Sequence, residues 1–157
     1  MKKILILLLA VLMTLSFTAC NNNATESREP YVQKEPALDE TEYRLPENVE
    51  AWVIEGSTDD SHAVLNIVNT SKSPVSFPVE YRLEKLVDGK WYELFPITEI
   101  DWDTTIYTIE PNSAKKITIG FMLAYGELEN GTYRILRQVH VPDDKNDYFI
   151  HCEFTLE

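Results

Sequence analysis

From residue 49 onward, apolar and polar side chains alternate in short runs rich in β-branched and aromatic residues. The runs read "VEAWVIEG", "HAVLNIVN", "VEYRLEKLV", "KWYELF", "TTIYTI", "KKITIGFML", "TYRILRQVHV" and "DYFIHCEFTLE". Alternation with period two is the signature of half-buried strands. The intervening "STDDS", "NTSKSP", "VDGK", "EPNS", "ELENG" and "PDDKN" carry Gly, Pro, Asn, Asp or Ser where a chain reverses. No window sustains helical periodicity. Seven or eight strands with this punctuation in about 110 residues predict an all-β fold, an antiparallel sandwich over residues 49–157.

The final two strands set a register. Pairing Val141 with Ile150 sets Val139 against Cys152, Arg137 against Phe154 and Ile135 against Leu156. Nearly all apolar residues then share one face, with Arg137 as the exception at an end of the core. His140 and His151 face one another on the opposite face, as do Gln138 and Glu153. Because neighbours in a strand point to opposite sides, Cys152 and His151 cannot form a nucleophile and base, and Cys152 reads as a buried core thiol. In "YGELENGTYRI" (residues 125–135), Gly131 and Tyr133 have the spacing of a tyrosine corner, in which the phenol bonds back to the preceding connection. Gly126 and Gly131 supply the backbone freedom for that bend. The stretch therefore reads as a corner rather than a reactive loop.

The first nineteen residues form an export signal: Lys2 and Lys3, an unbroken apolar run over residues 4–13, and small residues before Cys20. The run is too short for a permanent transmembrane helix, which needs about 20 residues. Phe17, Thr18, Ala19 and Cys20 resemble the lipobox of bacterial lipoproteins, with Phe17 standing where Leu is usual. The resemblance implies that Cys20 is lipidated and inserts acyl chains into the bilayer, each buried methylene contributing about 0.8 kcal/mol. Residues 20–48 then form a flexible acidic tether, with seven acids and three prolines after Cys20 and too little apolar surface to order it. Without residues 1–19, 12 basic side chains face 26 acidic ones, a net charge of −14. Such a charge argues against nucleic acid and anionic headgroups as ligands. With Cys20 acylated, Cys152 has no disulfide partner.

"LEKLVDGKWYEL", "IEPNSAKKITIGF", "YGELENGTYRILR" and "YFIHCEFTL" resemble the bacterial Ig-like domains of lipoproteins and surface proteins. The resemblance covers residues 79–156 and departs from the usual pattern at residues 120–123, where Gly-Phe-Met-Leu replaces a Trp-containing element. It implies an immunoglobulin-like fold and an envelope location, and it carries no catalytic residues or cofactor to transfer.

The motifs of nucleophilic, zinc-dependent and phosphate-binding enzymes are absent from the sequence. Asp101 and Asp103 around Trp102 could imitate a carboxylate pair but read as a solvated loop. Three binding chemistries follow. His140 and His151 could hold Zn²⁺ or Cu²⁺ across the last hairpin, and Asp143, Asp144 and Asp147 could gather Ca²⁺, although their spacing is not that of a calcium loop. Trp91, Tyr92, Trp102, Tyr107 and Tyr125 could form a sugar platform if Trp91 and Trp102 are coplanar and exposed. A protruding apolar loop near residues 95–102 would favour protein contact instead. The expectation is a monomeric, non-enzymatic lipoprotein on the extracytoplasmic face of a bacterial membrane, binding another envelope protein. A carbohydrate-binding module and an Ig-like proteinase inhibitor are the alternatives.

Overall fold

The computed structural model describes residues 31–32 and 43–157. The expected export signal, Cys20 and most of the acidic segment lie outside the described residues. Ten strands and one short helix follow in order: β1 (Tyr31–Val32), β2 (Val49–Val53), β3 (His62–Asn69), β4 (Val75–Pro78), β5 (Arg82–Val87), β6 (Lys90–Phe95), β7 (Ile106–Ile109), β8 (Ser113–Gly120), α1 (Met122–Tyr125), β9 (Gly131–Val139) and β10 (Tyr148–Leu156). The pairing is antiparallel throughout: a five-stranded sheet β1-β6-β5-β9-β10, a three-stranded sheet β2-β3-β8 and a β4-β7 ribbon. The core lies between the layers. Ala63, Leu65 and Ile67 from β3 and Ile119 from β8 meet Leu83, Ile135, Ile150 and Cys152 from the larger sheet, so the fold is an antiparallel β-sandwich.

Local chemistry explains most of the turns. The β5–β6 hairpin closes on Asp88 (φ 50°) and Gly89 (φ 76°), the paired left-handed residues that match strand twist. At the opposite end of β8, the "FML" expected to extend the strand instead turns: Ala124 and Tyr125 donate their N–H groups to Phe121 O, and α1 results.

β4 has no counterpart among the expected strands. It is a four-residue run between Pro74 and Pro78, and proline is confined to strand ends and edges. Physically, β4 and β5 are one bent strand along β9. Ser76 bridges His140 and Arg82 pairs with Leu136, so six steps on the first strand oppose four on the second. The two extra residues form a bulge. Arg137 fills it: its Nη2 donates to Val79 O at 2.8 Å, and its guanidinium lies over the Phe77 and Tyr81 rings. The expectation that Arg137 sits at an end of the core is thereby corrected. It is 3% exposed, and burial lowers its pKa to about 10.

The register of the last hairpin is also corrected. Cys152 pairs with Ile135, Ile150 with Arg137 and Phe154 with Tyr133, a slip of four residues from the expected pairing. An even slip preserves which face each residue occupies, and the apolar sorting therefore survives it. The outer face is not simply solvated, however: Arg134 and Leu136 are buried. Tyr43, upstream of β2, is buried beside them, with its ring 5.3 Å from Phe149 and its hydroxyl donating to Glu84 at 3.3 Å.

Candidate interaction surface

Arg134 and Glu84 form a buried ion pair on that outer face. The Arg134 guanidinium stacks 4.5 Å from the Trp91 ring centroid and 5.2 Å from that of Tyr43. Burial pushes the Glu84 carboxyl up, against the Arg134 and Tyr43 contacts that favour its charged form. Trp91 is thus a lid on a charge pair rather than an open face. Trp102 packs edge-on against Tyr81, 5.2 Å between centroids, and Tyr81 in turn donates to Gly120 O at 2.7 Å. Tyr107 lies against Phe77 with Lys115 over its ring. Tyr125 is 2% exposed, and desolvation pushes its phenol up to about 12. Tyr92 is half-buried in β6. Trp91 and Trp102 are each engaged by different partners, and no shared sugar platform results.

The histidines do not meet. His151 pairs with Leu136, while His140 lies beyond the end of β9 and bridges Ser76. The cross-strand metal pair expected from the sequence rested on the wrong register. Four residues of slip separate the rings by roughly 13 Å along the strand. Among the described residues no group of three or more His, Cys, Asp or Glu is placed to hold a metal. Asp144 is occupied by the Asn146 N–H and the Tyr148 hydroxyl. Asp103 accepts from the Thr105 N–H and hydroxyl, each at 2.9 Å. Cys152 is 3% exposed, and burial alone raises its thiol to about 12.

The corner is built around Tyr133, whose hydroxyl donates to Glu129 O at 2.8 Å. Lys85 spans it, with Nζ 5.4 Å from the Tyr133 centroid and 3.4 Å from Glu129 Oε2. Gly131 has φ +156°, and a Cβ there would meet Lys85 Cε at 3.1 Å. Leu128 is buried and its N–H donates to Asp60 O. All of these groups hold the loop in place.

Just upstream, α1 presents Leu123 at 87% exposure and Met122 at 46%. They are not on a loose loop. Ala124 O accepts from the Ile97 N–H at 2.7 Å, Leu123 O accepts from the Thr98 hydroxyl at 3.4 Å, and Ala124 and Tyr125 are buried beneath. Phe95, 39% exposed, leads into the same 96–98 segment. The result is an ordered apolar tip where the 95–102 loop and α1 clasp one another. The sequence pointed to the first half of this tip, and "FML" was hidden because an apolar run after a strand reads as more strand.

No curated protein matches the chain. Among solved structures, the archaellum periplasmic stator protein FlaG from Sulfolobus acidocaldarius is 13% identical over 69% of this chain and 99% of that one, with a TM-score of 0.36. The PapD-like domain 7 of human CEP192 is 11% identical over 82% of this chain and 100% of that one, with a TM-score of 0.34. The profile of the bacterial Ig-like domain matches residues 48–155. With a match across well over half its length, the chain belongs to the bacterial Ig-like domain family.

Proposed function

We propose that the chain is a lipid-anchored protein of the bacterial envelope whose Ig-like domain is a non-catalytic module that binds another envelope protein through the tip at Met122 and Leu123. The observation that carries this reading is the 87% exposure of a leucine on a backbone-clamped turn. A large apolar side chain held in water by an ordered loop loses hydration free energy that a partner's pocket would recover. The engaged state of Trp91 and Trp102 favours protein over glycan. Anchoring rests on the Phe17-Thr18-Ala19-Cys20 sequence.

Crosslinking in intact cells, followed by membrane fractionation, tests both parts. The native chain should sediment with membranes and carry one reproducible crosslinked protein. Cys20→Ser should release it to the aqueous fraction. Leu123→Glu should leave it membrane-bound and folded but lose the crosslink, because the side chain contributes almost nothing to the core. Retention of the crosslink in Leu123→Glu would reject the tip as the contact.

A further inference from the structure

The tip is apolar at Met122 and Leu123, and the backbone that holds it is acidic. Its two halves, residues 91–114 and residues 117–133, contain no lysine, arginine or histidine, so every formal charge they bring is negative. Three of those acids are already engaged: Glu93 with Arg82 at 3.8 Å, Glu129 with Lys85 at 3.4 Å, and Asp103 with the Thr105 N–H and hydroxyl. Glu99, Asp101 and Glu127 are exposed, and among the described residues they join no hydrogen bond or ion pair. Glu99 directly follows Thr98, whose hydroxyl donates to Leu123 O, and Glu127 directly follows Gly126, which ends α1. Asp60, also exposed and without an ion-pair partner, comes in on a third segment. Phe121 N–H donates to Ser61 O at 2.7 Å and Leu128 N–H to Asp60 O at 2.9 Å. These clamps leave the segments around Leu123 with carboxylates that nothing in the domain neutralises.

We infer that the tip docks into a protein socket that is apolar at its centre and rimmed by lysine or arginine. This rests on the reading of the tip as a protein contact and adds the partner's charge to it. Apolar anchors supply affinity by leaving water, while the charges around them decide which pockets they can approach. A chain of net charge −12 is repelled by an acidic rim and gains nothing from a neutral one; a basic rim attracts it before contact and pairs the carboxylates that contact would otherwise desolvate. The same charges disfavour the bilayer as the occupant, because segments that lie in anionic membranes surround their apolar face with lysine and arginine.

The probe is benzoylphenylalanine, a photoreactive apolar residue, placed at position 122 of the full-length chain in washed membranes. Irradiation at about 0.05 M NaCl should capture one protein, and the yield should fall at least about tenfold at about 0.5 M, because screening removes the attraction between rim charges. An apolar contact alone does not weaken with salt. Glu99→Lys with Asp101→Lys and Glu127→Lys should lower the low-salt yield by at least about tenfold, and Glu99→Gln with Asp101→Asn and Glu127→Gln should fall between that variant and the native chain. All six substitutions replace exposed side chains, and the salt series on the native sequence needs none of them. Capture that is lost in Leu123→Glu but unchanged by salt and by both sets of rim variants would overturn the basic socket and leave the tip as the contact. Capture that persists in Leu123→Glu, or that joins position 122 only to lipid, would reject the tip reading and this inference with it.

Discussion

At the scale of single residues, the decisive features are charges that the sandwich has to hide. Strand alternation marks Arg134 for the outer face, but sequence alone does not show that this face is covered. The cover comes from Tyr43 and Trp91, distant in sequence from Arg134 and invisible to any local pattern. Removing one member of a buried pair leaves the other uncompensated. Glu84→Gln should therefore lower stability by about 3–5 kcal/mol in urea unfolding, and Glu84→Leu with Arg134→Met should recover most of that loss. If the single variant costs under about 1 kcal/mol, the pair is hydrated and the packing described for it is wrong. Cys152 was legible, since alternation alone placed it inside. Its thiol pKa rises from 9.0 to about 12 on folding, so the native state keeps a proton that the unfolded chain releases. That contribution is whole below pH 9 and is lost as pH rises toward 12, at up to about 1.4 kcal/mol per pH unit. Tyr125 acts in the same direction. The slope of stability against pH between 9 and 11 should consequently be shallower in Cys152→Ala than in the native chain, whatever the absolute stability of the variant. Identical slopes would place the thiol in contact with water.

At the scale of elements, existence and type were readable while pairing was not. The runs "HAVLNIVN" and "KWYELF" coincide with β3 and β6 to the residue. β4 escaped because its prolines mimic a loop, and α1 escaped because four residues are too few to show a helical period. The hairpin register failed for a definite reason: every even slip sorts apolar residues to the same face, so burial cannot choose among them. Fixing the register takes the long connection between β9 and β10 and the bulge opposite β4. The observed pairing sets Thr132 directly against Thr155, with their hydroxyl oxygens 3.2 Å apart. Thr155 directs its N–H away from β9, so this is a non-hydrogen-bonded pair, in which side chains approach most closely. Thr132→Cys with Thr155→Cys should oxidise to an intramolecular disulfide within the native fold, read by mass and by a loss of two titratable thiols. Absence of that bond under conditions that keep the domain folded would favour the slipped register instead.

At the scale of the whole molecule, the proposed anchor at Cys20 has a geometric consequence for the domain. An acidic surface repels anionic headgroups, and under that proposal the geometry of β1 decides which end would be nearest the bilayer. Tyr31 pairs with Phe95 and Val32 with Leu94, so the chain coming from Cys20 arrives at the Phe95 end of β6. That is the end bearing the 96–98 segment and, through Ile97 and Ala124, the apolar tip. Only ten residues lie between Cys20 and Tyr31, a contour length of at most about 40 Å. With Cys20 as the proposed anchor, the tip is held on the membrane side and the β5–β6 turn lies a strand length further out, roughly 20 Å. A partner reached by Leu123 would then be an integral or closely apposed membrane protein rather than one diffusing above the surface. In liposomes carrying acceptor-labelled lipid, a dye on Leu123→Cys should transfer energy more efficiently than one on Lys90→Cys. Cys20 is acylated under this proposal and Cys152 is buried, so each introduced thiol labels alone. Equal transfer from the two positions would mean that β1 does not dock on β6 at the membrane; stronger transfer from position 90 would mean that the domain stands the other way up and the tip faces outward.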